Sequence, residues 1–157
     1  MLPTTMDMGV KKRMKREEIK VAVIDGQGGG VGRALVEHIK RAYPDLHVRA
    51  LGTNSAATAV MMRAGANDGA TGENAIVYNA SRMQVILGPI AILVGNGLLG
   101  ELTPAMAAAV GGSDAVKILL PSQRCSIRLA VGPLQPMQVY LEEAIRQLGE
   151  ELQRLTG

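Results

Sequence analysis

Val23–Gly32 reads VIDGQGGGVG: an apolar run stops at Asp25, five glycines fall within the seven residues from Gly26 to Gly32, and a helical pattern begins. A short apolar run ended by glycine is the mark of a central parallel strand, so Lys20–Asp25 is read as a buried strand. Val31–Tyr43 follows as a helix, with Leu35, Ile39 and Ala42 on one side and Pro44-Asp45 as its stop. His47–Leu51 is a second strand, halted by Gly52-Thr53-Asn54. Strand, helix and strand in that order form a β-α-β unit, whose crossover is right-handed in nearly all proteins.

The alternation continues down the chain. Ser55–Ala64 reads as a helix leading to Gly65. GANDGATGENA is polar and glycine-rich, so it is expected to hold a loop of about eight residues before a short helix over Glu73–Ala80, with Thr71 or Gly72 near its start. Gln84–Leu87 is a third strand, closed by Gly88-Pro89, and Ile90–Leu99 fits helix or strand equally. Thr103-Pro104 is a helix start, with a capping hydroxyl followed by proline at the first helical position, and Gly111-Gly112 ends that helix. Lys117–Leu120 is a fourth strand ended by Pro121. Ile127, Leu129 and Val131 alternate with Arg128 and Ala130, which suits a fifth strand at a sheet edge. Pro136 opens a last helix whose Met137, Leu141, Ile145, Leu148, Leu152 and Leu155 recur at spacings of four and three. This stripe is expected to cover the sheet. A homodimer seam is the alternative, with too few heptads for a coiled coil. The predicted fold is a three-layer α/β domain over residues 20–157, with a mostly parallel sheet of four to five strands.

Size and composition narrow the function classes. The 157 residues suit one domain with a real core, and a dinucleotide domain plus a substrate domain would not fit. Hydrophobic residues make up 47% and charged residues 20%, a globular balance, and the absence of Phe and Trp makes the core aliphatic. Of the net charge of +3, residues 1–19 hold +2, from five basic and three acidic side chains. They are read as a flexible basic leader; Met14 opens MKREEIKVAVIDG, which itself reads as a normal start. Such a tail can bind a polyanion, but the body has neither an aromatic stacking platform nor a basic stripe, so no nucleic-acid partner is expected. No signal peptide is visible. The longest apolar stretch, VILGPIAILVGNGLLG, is broken by Pro89, Asn96 and several glycines, so no membrane span is expected. The lone Cys125 cannot form an internal disulfide, and a cytoplasmic location follows as the expectation.

The glycine loop meets two fingerprints in part. G-x-G-x-x-G begins at Gly26-Gln27-Gly28, but its sixth position is Val31, with Gly32 next; Gly26, Gly30 and Gly32 match G-x-x-x-G-x-G. The setting, after a strand and before a helix, is the one phosphate binding requires. Free amides at a helix start can hold a phosphate, and glycines let it approach the backbone. Gly26, Gln27, Gly28, Gly29, Gly30 and Gly32 are therefore candidate ligand contacts, against the alternative of a tight turn with close helix–sheet packing. Asp25 would repel a phosphate unless it points away, caps the helix or shares a cation. No lysine completes a G-x-x-x-x-G-K-[ST] pattern, which excludes an ATP-hydrolysing P-loop. After the second strand, where an NAD-binding domain places an acid for the ribose, stand Gly52-Thr53-Asn54-Ser55. Thr53 and Asn54 are candidate ribose contacts whose neutral donors suit a 2′-phosphate, or they cap the next helix. NAD(P) is the candidate cofactor.

Ligands of open α/β folds bind beyond the carboxyl ends of strands, which draws in PSQRC at 121–125. Ser122 and Arg124 are expected to orient the far end of a ligand, Arg124 as a bidentate clamp. Cys125 is a candidate nucleophile if its thiolate is stabilised, and with Asp25 it completes the catalytic candidates; a quiet, partly buried cysteine is the alternative. One cysteine and two distant histidines, His38 and His47, make no zinc set, and no metal site is expected. Asn67, Asp68, Glu73 and Glu101 read as solvated turn residues, with a Mg²⁺ ion shared with a phosphate ligand as the alternative. No Ser-His-Asp order appears. The Tyr-x-x-x-Lys pair of short-chain dehydrogenases is absent too, since Tyr78 is followed by Arg82 and Tyr43 by His47 at that spacing.

Taken together, VAVIDGQGGGVG, LGTNSAAT, AGANDGATGENAI, ILGPIAILV, GELTP and ILLPSQRC closely resemble a small uncharacterised bacterial family, a domain of unknown function found mostly in clostridia and related anaerobes. The likeness runs from about Ile19 to Gln147. It implies a soluble, stand-alone, Rossmann-like domain and carries no activity. The expectation from the residues is a small protein that binds a nucleotide or another small phosphorylated ligand at the glycine loop. A non-catalytic structural or sensor module and a small enzyme using Cys125 are the alternatives.

Overall fold

The structure, a computed structural model, describes residues 13–122 and 126–157. Its strands are β1 (Val21–Asp25), β2 (Val48–Gly52), β3 (Asp68–Thr71), β4 (Val85–Pro89) and β5 (Val116–Leu120). Its helices are α1 (Gly30–Ala42), α2 (Ser55–Arg63), α3 (Glu73–Ala80), α4 (Pro104–Gly111) and α5 (Met137–Thr156). Short 3-10 turns occupy Arg16–Glu18 and Ile90–Leu93. The sheet order is β3-β2-β1-β4-β5, and every pairing is parallel. Val21 at the start of β1 faces Val48 on one side and Val85 on the other. The central strand is buried along its whole length, which is why VAVID carries no alternation.

Helices cover both faces. Val21 and Val23 of β1 pack with Leu35, Val36 and Ile39 of α1, Met61 of α2, and Leu141, Leu148 and Leu152 of α5. Ala22 and Ile24 pack on the other face with Ile76 of α3 and with Met106 and Val110 of α4. The apolar stripe of α5 thus lies on the sheet, next to β5 and α1. Ahead of β1, Ile19 is fully buried, the Met14 amide donates to the Leu155 carbonyl at 2.9 Å, and Arg16 stacks over the Tyr43 ring.

Two elements depart from expectation. The stretch read as a loop contains β3, Asp68-Gly69-Ala70-Thr71. Polar side chains make it resemble a loop, and the same side chains pin it as an edge strand. Asp68 stands opposite Arg49 in register and accepts from its Nε and Nη2 at 2.8 and 2.9 Å. Asn67 accepts from the Val48 amide at 2.9 Å. Gly69 belongs there because a β-carbon would lie 2.9 Å from the Ala50 carbonyl oxygen and 3.0 Å from Met62 Sδ. The second departure is Ile127–Val131, which is not a strand: residues 126–139 are exposed throughout, and β5 is the sheet edge. Alternation alone does not make a strand without a neighbour to pair with. Ile90–Leu99, ambiguous in sequence, resolves into the 3-10 turn Ile90–Leu93 followed by an irregular segment.

Leu148 is fully buried in α5. Its truncation, Leu148→Ala, is expected to lower unfolding free energy by about 2–5 kcal/mol, measured in urea. A loss that varied with protein concentration would assign the stripe to a dimer seam instead.

Candidate functional site

The chain leaves β1 towards β2 and β3 on one side and returns to β4 and β5 on the other. The reversal falls between β1 and β4, and it is beyond the carboxyl ends of strands at such a switch point that open α/β sheets receive ligands. The first connection there is the glycine turn. The Gly29 amide donates to the Gly26 carbonyl at 2.9 Å, and Gln27 and Gly29 take left-handed φ values of 49° and 73°.

Asp25 ends β1 with its side chain in the interior, 4% exposed. One carboxylate oxygen accepts from the Gly26 amide at 2.8 Å and the other from the Gly32 amide at 2.7 Å. The acid therefore caps α1 from below, and negative charge at a helix N-terminus is favourable. This contact requires Gly32, whose β-carbon would sit 2.9 Å from Asp25 Cβ and 2.5 Å from Met61 Sδ. Burial pushes the Asp25 acid above its ordinary value of 3.8, the amides of Gly32 and Gly26 pull it back, and the nearby Glu101 charge adds to the rise.

Glu101 reaches the same turn from the segment between the 3-10 turn and α4. Its Oε1 accepts from the Gln27 amide at 2.8 Å, the Thr53 hydroxyl at 2.7 Å and Asn54 Nδ2 at 2.9 Å. These donors, the Gln27 amide first, hold its acid below the ordinary range. Thr53 and Asn54 are placed by the end of β2. The Thr53 amide donates to the Asp25 carbonyl at 3.0 Å, and Asn54 Oδ1 caps α2 by accepting from the Ala57 amide at 2.8 Å. Glu101 reads in sequence as a solvated turn residue; no spacing rule connects it to a loop 74 residues earlier. The single hint is that Thr53 and Asn54 follow β2 with no acid of their own, and this carboxylate sits against them.

The glycine-loop candidates therefore divide. The amides of Gly26, Gln27 and Gly32 are held by Asp25 and Glu101, and that of Gly29 closes the turn. Gly28 and Gly30 are exposed, their amides have no partner among the described residues, and a β-carbon on either would meet nothing within 4 Å. Beyond the carboxyl ends of β4 and β5 a cavity of about 520 Å³ is lined by Ile90, Pro121, Ser122, Ile127, Arg128 and Leu129. That volume lies in the usual range for small-molecule sites. Gln123, Arg124 and Cys125 lie outside the described residues. Since β2, β1, β4 and β5 are successive neighbours, the two parts share one edge, roughly 14 Å from first strand to last at about 4.8 Å per step.

The remaining candidates are elsewhere. His47 pairs with Asp68 at 3.1 Å at the amino end of β2, and His38 bonds the Ala34 carbonyl within α1. Glu73 accepts from the Thr103 hydroxyl at 2.6 Å. Among the described residues no set of three His, Cys, Asp or Glu side chains gathers to hold a metal, and no helix is long and apolar enough to cross a membrane.

Asp25 gives stability a definite pH dependence. Its folded-state acid lies above the ordinary value of 3.8, so the folded protein holds more protons than the unfolded chain between those two values, and stability falls as pH rises through that window. The acids held low, Asp68, Glu101 and Glu143, act only below their ordinary values of 3.8, 4.5 and 4.5. Followed upward from pH 3.8, the urea-unfolding free energy of the wild type is expected to decline relative to that of Asp25→Asn, and a difference that does not change with pH would assign the rise to another group. The variant should also lose about 1–3 kcal/mol near pH 5, because its NH₂ group faces a loop amide.

No curated protein matches the chain. Among solved structures it is similar to the dodecameric FMN-dependent Ubix-like decarboxylase from Escherichia coli O157:H7, at 17% identity and a TM-score of 0.44, over 83% of this chain and 77% of that one. The family described as Domain of unknown function (DUF3842) matches residues 20–153. With its central strand, glycine turn and all five described helices inside that span or reaching into it, the chain belongs to the DUF3842 family.

Proposed function

We propose that the protein binds a nucleotide or another small phosphorylated ligand along the carboxyl edge of its sheet. The observation that carries the reading is the pair of exposed, unengaged amides of Gly28 and Gly30 at the start of α1, on the same edge as the cavity beside Ser122 and Arg128. Backbone amides at a helix N-terminus attract anions. The ligand's anionic group lies on them, and its less polar end extends past β1 and β4 into the cavity. Asp25 and Glu101 set a limit on charge. Two carboxylates beside the loop oppose a terminal phosphate dianion more than a phosphodiester carrying one charge per phosphorus. NAD and related diphosphate-bridged cofactors fit that limit.

A second reading has its own observation. Three loop amides are already satisfied by Asp25 and Glu101, as expected of a self-contained turn in a module that binds no nucleotide. Native mass spectrometry, then calorimetry with NAD(H), NADP(H), ATP and FMN, separates the two. A retained or saturable ligand supports the first reading; no binding across the panel supports the second. Gly28→Val places a branched side chain in open space, so the variant should fold and weaken binding about 100-fold or more by blocking approach to the backbone. Unchanged affinity in the folded variant would move the ligand off the loop.

A further inference from the structure

We propose that Glu101 is an internal competitor for this ligand: its carboxylate occupies the donors of Gln27, Thr53 and Asn54, and an incoming anionic group takes those donors as the segment Asn96–Glu101 lifts. The inference rests on the reading of the carboxyl edge as a ligand site and concerns how that site is controlled.

Each of the three donors is placed without help from Glu101. The turn Gly26–Gly29 aims the Gln27 amide, the bond to the Asp25 carbonyl fixes Thr53, and the cap on α2 fixes Asn54. They come from two different β-α connections and converge on a single oxygen. The donor set belongs to the sheet edge, and Glu101 is its guest.

The segment carrying Glu101 is built as a flap. Its stem is closed by the Asn96 amide on the Leu102 carbonyl at 2.7 Å and by the Leu102 amide on the Gly97 carbonyl at 3.1 Å. Between them Leu98 and Leu99 hold left-handed φ values of 56° and 57°, which non-glycine residues adopt at a cost. Leu99 at the tip is 96% exposed. Towards the glycine turn the flap presents the Glu101 carboxylate and Leu98, whose Cδ1 lies 2.8 Å from where a β-carbon on Gly26 would stand. The carboxylate and a second anion cannot share the same three donors, since like charges at contact distance repel strongly. Asp25 plays no such part, being buried beneath the turn with both oxygens bonded.

The test is titration of the ¹⁵N-labelled full chain with inorganic phosphate at about pH 6, where the singly charged form that the two carboxylates oppose least predominates, following the amides of Gln27, Gly28, Gly30 and Leu99 in the wild type, Glu101→Ala and Glu101→Gln. Removing a competitor restores the fraction of sites open to ligand, so half-saturation at Gln27 should fall about tenfold or more in Glu101→Ala, with Glu101→Gln between. In the wild type the Leu99 amide should move along with Gln27. Glu101→Gln keeps an oxygen acceptor and decides the case if the alanine variant loses its native spectrum. Equal half-saturation at Gln27 in wild type and folded variants overturns the competitor. So does a response at Gly28 and Gly30 with none at Gln27, and both outcomes leave the ligand site standing. Silence at all three loop amides in every protein overturns the site and the competitor together.

Discussion

Asp25 carries a carboxylate into the interior at the end of the central strand, and the amides of Gly26 and Gly32 make that position tolerable. A buried acid left without donors would be strongly destabilising; here each oxygen meets one amide, at opposite ends of the glycine turn. The clasp sets where β1 stops, how tightly the chain reverses and where α1 begins. It also dictates composition. Gly32 has no β-carbon because Asp25 and Met61 fill the space, and Gly26 has none because Thr53, Leu98 and Glu101 do. Much of what resembles a phosphate fingerprint is thus the wrapping of an internal anion.

Most of the architecture was legible from periodicity and punctuation. VAVID, the helix to Pro44, Thr103-Pro104 and the stripe from Met137 each pair a local pattern with a physical stop signal. The two misreadings share one cause. Asp68–Thr71 lacks β propensity and is a strand because Arg49 and Val48 on the neighbouring strand supply partners for Asp68 and Asn67. Ile127–Val131 has the strand pattern and no neighbour. A strand is a property of a pair, and one segment carries half the information.

The site was legible to a lesser degree, for a related reason. The capping roles open to Asp25 and Asn54 follow from short-range chemistry and can be anticipated. Glu101 approaches Gln27 and Thr53 only after β4 has been laid beside β1, so nothing in its own surroundings marks it. The absence of an acid after β2 was the legible trace; the acid that meets Thr53 and Asn54 comes instead from the segment before α4.

The join between Met14 and Leu155 has a consequence for how this fold connects to anything else. The chain enters at the amino ends of the strands, and α5 runs back from the carboxyl edge to the same side, so that Arg13 and Gly157 lie against each other. Arg13 and Gly157 thus share one corner of the fold, on the opposite side of the sheet from Gly28, Gly30 and Glu101. The protein can be tethered, labelled or immobilised at that corner with the carboxyl edge of its sheet facing away from the support.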